Sequence, residues 1–449
     1  MANHIGARIQ ADLETKLRTQ FFQPGKRLPS VRELSEQYQC SKSTVVAAYE
    51  TLKQRHLVYS VPQSGYFCVE NQRLRGENDS TVINFSTGNP LIGTIHIPDL
   101  KHCLDRSVDL YEHQSLCQNP YGVESLRHLL AAYLTDFQVF TRPENVFVNL
   151  GVQQGLSILT ALPFPNGRQV ILVEEPTYRY YLDFLRFQKA PVLGIDRTEQ
   201  GIDLNRLEQL FKTERIKFFY TVPRNHNPLG TAYRLSQRKA IAALAAKYHV
   251  YIVEDDYFGD VTETPGETLF AEGDHDHFIY LKNYTKIIPW IRIGLMVIPT
   301  PLIPAFQQAV AFSYYDSYFS PSLVSQATLE IYLRSQLLKK QVHLMQKELA
   351  ERLRCLRRSF NMLNRFGVKG VGGESGFYSY LQLPEETEAG RVMQKLEAAG
   401  VLITGSGGFY IDPSAQNSLR LSVARTSVAE IERGVAIIQA TLKTETQRR

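Results

Sequence analysis

Lys286, in "YLKNYTKIIPWIRIG" (residues 280–294), carries a primary amine able to condense with an aldehyde. Upstream, the apolar run "VYIVEDDYFGD" ends in Asp255, Asp256 and Tyr257, which places carboxylates at the end of a strand. In "NLGVQQGLSILTAL", Gly151 makes a strand-to-helix turn, so the amides of Val152 and Gln153 stand at a helix N-terminus, where a phosphate is held. Tyr178, in "EEPTYRYY", offers an aromatic face to a flat ring. Asn227, in "RNHNPLG", precedes Pro228 in a turn that aims its amide at a ring hydroxyl, and Arg292 and Arg420 add cations. Pyridoxal phosphate requires this set: a lysine for its aldehyde, an anion beside its pyridine nitrogen and donors for its phosphate. Singly, each residue has an ordinary explanation as a turn, a packed ring, a helix cap or a solvated charge. Their order along the chain is what makes them a site.

Lys282 competes with Lys286 for the covalent role. It lies in the strand or at its end, without the R-x-G that follows Lys286, and is read as a plain charge on a loop. Trp290, the single tryptophan, lies four residues from Lys286, so its emission is expected to report cofactor binding. Arg179 and Tyr180 are further expected to line the pocket.

The elements that must position these residues are legible as alternating runs. "RQVILVEEP", "APVLGID", "IKFFYTVP", "VYIVEDDY", "HFIYLKNYT" and "IRIGLMVIP" read as strands separated by helical stretches, which predicts an α/β domain with a largely parallel sheet and sites at the strands' carboxyl ends. One long helical region is expected over about 321–362, followed by a smaller α+β subdomain from "SGFYSYLQL", "GVLITG" and "SLRLSVAR".

The first seventy residues have a different pattern. Ile5, Ile9, Leu13 and Leu17 recur every four residues, as on one face of a helix. Ser30 and Glu33 form a capping box for a second helix, and Ser41 or Ser43 caps a third whose apolar stripe is Val45, Ala48, Tyr49 and Leu52. "LVYSVPQSGYFCVE" then alternates around Ser64 and Gly65 as a two-stranded hairpin. Three helices and a hairpin predict a winged helix-turn-helix. Ser41, Lys42, Ser43 and Thr44, at the start of the third helix, are expected to meet DNA, with Arg32 before them and Ser64 and Gly65 at the wing tip. Residues 1–70 hold nine Lys and Arg against six Asp and Glu, more than half of the chain's +5 excess, which suits an anionic partner.

At 449 residues the chain is long enough for two or three domains, and the expected division is 1–70, a polar linker at 71–82, and 83–449. Five scattered cysteines (Cys40, Cys68, Cys103, Cys117, Cys355) without ligand spacing predict no metal site and suit a reducing compartment. The N-terminus has no apolar leader core, and no apolar run reaches membrane-spanning length, so a cytoplasmic protein is expected.

"GKRLPSVRELSEQYQCSKSTVVAAYETLKQRHLVYSVPQSGYFCV" resembles the winged-helix head of the GntR regulators. From about residue 82 to 445 the chain resembles fold type I, class I aminotransferases, and the whole is similar to the MocR subfamily, in which the two are fused. The resemblance implies that Lys286 binds pyridoxal phosphate covalently, Asp255 pairs with its ring nitrogen, Tyr257 and Asn227 bond its hydroxyl, and Tyr178 stacks on the ring. It implies further that Val152, Gln153, Thr285 and Arg292 hold the phosphate and Arg420 the carboxylate of an amino-compound effector. The implied function is transcription regulation by a homodimer on paired half-sites of double-stranded DNA, with an amino compound or pyridoxal phosphate as the signal. The alternative is a working aminotransferase with an accessory DNA-binding head. Arg292 follows Lys286 by only six residues, a shorter loop than the family's usual one, and "ESGFYSYLQL" has aromatics where many members have glycine-leucine-histidine.

Overall fold

The structure is a computed structural model describing residues 2–18, 21–22, 25–55, 57–69, 82–90, 95–114, 120–262, 268–317, 320–412 and 417–446. The chain divides into two compact units, Met1–Thr81 and Val82–Arg449. Most of the expected linker, and Cys117, lie outside the described residues.

In the first unit, α1 (Ala2–Arg18), α2 (Val31–Gln37) and α3 (Lys42–Gln54) are followed by a hairpin of β1 (Val58–Val61) and β2 (Gly65–Cys68). The α2 capping box is present in both directions: Ser30 Oγ accepts from the Glu33 amide at 3.1 Å, and Glu33 Oε2 accepts from the Ser30 amide at 2.6 Å. Ser41 caps α3, settling the choice between Ser41 and Ser43. Ile9, Leu13, Leu34, Val45, Tyr49 and Leu52 form a core of this unit's own. Tyr49 stacks on Tyr66 of the hairpin at 4.1 Å and donates to the Pro29 carbonyl, which ties the wing and the α2 entry to α3.

The second unit opens with β3 (Ile83–Asn84), α4 (Ile97–Leu110) and α5 (Glu124–Leu134). Its main sheet comprises β4 (Val146–Asn149), β5 (Val170–Glu175), β6 (Val192–Thr198), β7 (Gly201–Ile202), β8 (Ile216–Thr221), β9 (Tyr251–Asp255), β10 (Phe278–Asn283) and β11 (Gly294–Val297). Helices α6 (Val152–Ala161), α7 (Arg179–Phe187), α8 (Leu204–Thr213) and α9 (Leu235–Tyr248) are interspersed among these strands. The order across the sheet is β4-β11-β10-β9-β8-β5-β6-β7. The pairs from β10 through β9, β8 and β5 to β6 are parallel. Both edges are antiparallel, including "IRIGLMVIP", which enters as β11 against β10. The physical reason is the connection: residues 284–293 are too few for a helical crossover, so the chain reverses, and Lys286 lies in that reversal.

Helices α10 (Ile303–Ser317), α11 (Leu323–Arg334) and α12 (Leu337–Leu363) come next. The long helical region expected over about 321–362 is occupied by α11 and α12, which are separated where Gln336 adopts the left-handed conformation (φ 59°). A four-stranded sheet in the order β12-β13-β16-β15 follows, from β12 (Lys369–Gly372), β13 (Tyr378–Gln382), β15 (Thr404–Gly405) and β16 (Ser418–Ser422). Helices α13 (Ala389–Ala398) and α14 (Val428–Thr446) belong to this region, and β14 (Val401–Leu402) pairs with β3 in parallel. The core runs continuously from Phe85 through Val148, Leu172, Phe219 and Ile252 to Leu421 and Ile431. Among the described residues no helix is long and apolar enough to cross a membrane.

Candidate functional site

The central strands deliver their chemistry at their carboxyl ends. β9 finishes at Asp255, β8 at Thr221 just before the turn holding Asn227, and the reversal after β10 presents Thr285 and Lys286. Asp255, Asn227, Thr285 and Lys286 line a cavity of about 780 Å³ together with Gly151, Val152, Gln153, Tyr178, Tyr257 and Arg292. Gly151 enters α6 at φ 124°, a conformation that disfavours a side chain, and no side chain caps that helix. The first α6 amides therefore face the cavity with the helix's positive end.

Lys286 is half-buried, and its Nζ donates to Asn89 Oδ1 at 2.5 Å. Burial and then the Arg420 guanidinium push its proton affinity down to about 8, against the pull of Asp255. A share of the amine is thus neutral, hence nucleophilic, near pH 7. Asp255 is buried, and its carboxyl is pushed up to about 7 because burial outweighs the Tyr220 hydroxyl, which donates to Oδ2 at 2.7 Å. Its other oxygen, Oδ1, is buried with no hydrogen-bond partner among the described residues. An orphaned carboxylate oxygen on the cavity wall suits a ring N–H, and an uncapped helix N-terminus suits a phosphate, so the residues fit pyridoxal phosphate.

Tyr178 is held by Gln153 Nε2, which donates to its hydroxyl at 3.2 Å. Tyr257 donates its hydroxyl proton to the Asn225 carbonyl at 2.8 Å, leaving its oxygen lone pairs to accept. Asn283 Oδ1 accepts from the Thr285 amide at 3.0 Å and fixes the start of the lysine loop. Tyr220, Asn283 and Asn89 carry no signal of their own in the sequence, whereas Tyr378 is one of the aromatics of "ESGFYSYLQL" and lines the cavity.

Four placements differ from expectation. Arg420 does not line the cavity: Nη1 donates to Asn227 Oδ1 at 3.3 Å, Nη2 donates to the Ser86 carbonyl and to Thr404, and the Tyr378 and Phe409 rings cover the guanidinium at 4.7 and 5.2 Å. Lys282 is no loop charge: it is fully buried in β10, 2.7 Å from Asp260 Oδ2 and 4.0 Å from the centre of the Phe137 ring. Tyr180 lines the cavity, whereas Arg179 faces Asp183 at 3.5 Å, and Trp290 is 66% exposed and outside the lining.

In the first unit, Ser41 Oγ lies 2.7 Å from Ser43 Oγ and 2.8 Å from Thr44 Oγ1, a knot of hydroxyls at the exposed N-terminus of α3. Lys42 is exposed beside it. Arg32 pairs with Glu36 at 2.9 Å, but at 80% and 67% side-chain exposure this pair is worth about 0–1 kcal/mol. A Cβ on Gly65, at the wing, would lie 3.4 Å from Arg27 Nε, which adds a cation beside the wing tip.

Comparison with known proteins decides the family. A model of class I and II aminotransferases matches residues 80–438, and a model of bacterial gntR-family regulatory proteins matches residues 5–68. YcxD of Bacillus subtilis strain 168, described as an uncharacterized HTH-type transcriptional regulator, is 36% identical over 438 residues, covering 96% of this chain and 98% of YcxD. The chain belongs to the GntR regulators fused to an aminotransferase domain. This MocR-like regulator is also 27% identical over 332 residues to the 2-aminoadipate transaminase of Thermus thermophilus, covering 70% of this chain and 79% of that protein. The crystal structure of Pyrococcus horikoshii kynurenine aminotransferase is similar in fold, with a TM-score of 0.74 at 23% identity over 83% of this chain and 93% of that one. The regulator therefore couples a DNA-binding winged helix-turn-helix to a domain of a typically pyridoxal-phosphate-dependent family.

Proposed function

We propose that this transcription regulator binds pyridoxal phosphate on Lys286 and senses an amino compound, or the cofactor itself, through that lysine. The observation that carries the reading is the convergence on one cavity of a lysine with lowered proton affinity, the unpartnered Asp255 Oδ1 and the uncapped α6 N-terminus. Pyridoxal phosphate, when bound, supplies an aldehyde that a lysine holds covalently and an incoming amine can claim. In this reading Asp255 Oδ1 accepts the ring N–H, Tyr178 covers one ring face, and Asn227 and Tyr257 meet the ring hydroxyl. The Val152 and Gln153 amides, Thr285 and Arg292 hold the phosphate. Arg420 takes an effector carboxylate once Tyr378 and the Ser86 carbonyl give way. A homodimer presenting two winged helices to paired half-sites completes the proposal.

Two outcomes are expected. Asp255→Ala deletes the partner of a charged ring nitrogen, so spectrophotometric titration should show pyridoxal phosphate binding weakened by about ten- to a hundredfold. Unchanged affinity would remove Asp255 from the site. On the DNA side, raising salt from about 50 to about 200 mM should weaken operator binding by on the order of a thousandfold if about six phosphates are contacted. Lys42→Ala should flatten the log–log salt slope by about one; a slope equal to that of the unmodified protein would take Lys42 off the phosphate backbone.

A further inference from the structure

The segment from Ile83 to Asn89 runs from the sheet to the lysine. Its upstream part is fixed by backbone: the Ile83 and Phe85 amides donate to the Gly400 and Leu402 carbonyls at 2.8 Å, and the Ser422 amide donates to the Phe85 carbonyl at 2.8 Å. The Ser86 carbonyl accepts from Thr404 Oγ1 at 3.0 Å and from Arg420. Gly88 packs so closely on the Tyr378 hydroxyl that a Cβ would overlap it. At the far end, Arg425 Nε donates to the Asn89 carbonyl at 2.8 Å, while the Asn89 side chain meets Lys286 Nζ. Of these contacts, the Asn89 side chain is the one whose partner changes chemically when the lysine reacts.

We infer that Asn89 is a positioning residue that holds the Lys286 amine whenever the lysine is free, so that residues 87–89 follow the lysine's covalent state. The inference rests on the reading of Lys286 given under Proposed function. When Nζ condenses with an aldehyde, a C=N bond forms and the carbonyl oxygen leaves as water with two hydrogens from the amine. The nitrogen then keeps at most one hydrogen and is tethered to the new carbon, so Asn89 loses the freely rotating amine it held. When an incoming primary amine takes over that carbon, its two hydrogens pass to the lysine nitrogen and the Asn89 contact returns. Upstream the segment reaches Val82, which follows directly on residues 70–81 that join it to the DNA-binding unit. A covalent change at Lys286 is thereby registered at residues 87–89, just beyond the part of the segment that the strands hold by backbone.

The groups acting on Lys286 are Asp255 from β9 and Arg420 from β16, with Arg292 of its own loop and the hydroxyls of Tyr257 and Tyr378 lining the same cavity. Asn89 Oδ1 accepts best from the charged amine, so it favours protonation. The test uses the full-length protein and follows pyridoxal phosphate uptake by visible absorbance across pH. Asn89→Ala should shift the uptake midpoint down by about one pH unit, and Asn89→Asp should shift it up by a similar amount. A merely structural role would not give opposite signs. Hydrogen exchange over residues 87–89 should rise when pyridoxal phosphate is added and fall back when O-methylhydroxylamine then strips the aldehyde from the lysine, with no response in Asn89→Ala. Equal midpoints in all three proteins, or exchange indifferent to both reagents, would overturn the role of Asn89 while the covalent reading stands. No visible band in the unsubstituted protein would overturn the covalent reading and this inference with it.

Discussion

Lys286→Ala should abolish covalent uptake of pyridoxal phosphate: the visible band formed on titrating the unsubstituted protein should be missing at every cofactor concentration. The expected effect is complete because no second lysine lines the cavity among the described residues. Lys282, four residues away, is buried against Asp260 and Asp256 at 2.7 and 3.9 Å and does not line the cavity. Residual non-covalent binding through the Asp255 carboxylate and the α6 amides should persist at much lower affinity. The fold should be unaffected, since the Lys286 side chain lies on the cavity wall and its hydrogen bond goes to the Asn89 side chain. A visible band of ordinary intensity in Lys286→Ala would transfer the covalent role elsewhere.

Asp260→Ala should be among the most destabilising single changes, at about 3–5 kcal/mol, because it leaves the Lys282 ammonium fully buried without its nearest counter-ion. It also removes the acceptor of the Tyr133 hydroxyl, bonded at 2.5 Å. The remaining anion, Asp256, is already bonded by Arg224 and by the Tyr280 hydroxyl. Adding Lys282→Met to Asp260→Ala should recover much of the loss, since the uncompensated charge is then gone. By contrast, Lys339→Ala, which removes a pair to Asp136 with 57% and 49% of the side chains exposed, should cost less than about 1 kcal/mol. Urea denaturation followed by circular dichroism measures all of these. Equal stability of Asp260→Ala and Lys339→Ala would mean that Lys282 is not charged in the folded state.

The expected fold class agrees with the structure and with the family matches: a GntR winged helix-turn-helix and an aminotransferase domain with a mostly parallel sheet. It was legible because strands buried on both faces read as continuous apolar runs, and because Ser30 and Glu33 mark a helix start by side-chain chemistry that acts within three residues. Direction was not legible for "IRIGLMVIP": an apolar run is the same in a parallel or an antiparallel strand, and only the length of the preceding connection decides. The residues proposed for the cofactor include Lys286, Asp255 and Tyr178 at strand ends and turns, where a polar residue closing an apolar run is visible in the sequence. What supports them from a distance was not visible. Tyr220 reaches Asp255 from the neighbouring strand, and Asn89 reaches Lys286 across 197 positions, so their pairing is created by the fold alone. The burial of Lys282 is hidden for the same reason, since its counter-ion Asp260 lies in a different segment, after β9.

The most direct test of the coupling between lysine and DNA is an operator-binding titration of the full-length protein, with and without pyridoxal phosphate, alongside Lys286→Ala. Pyridoxal phosphate should change the DNA affinity of the unsubstituted protein, DNA should change its affinity for pyridoxal phosphate by the same factor, and Lys286→Ala should bind DNA with one affinity in both conditions. An identical response to pyridoxal phosphate in both proteins, or none in the unsubstituted one across a panel of amino compounds, would contradict the proposal that the regulator is switched through Lys286.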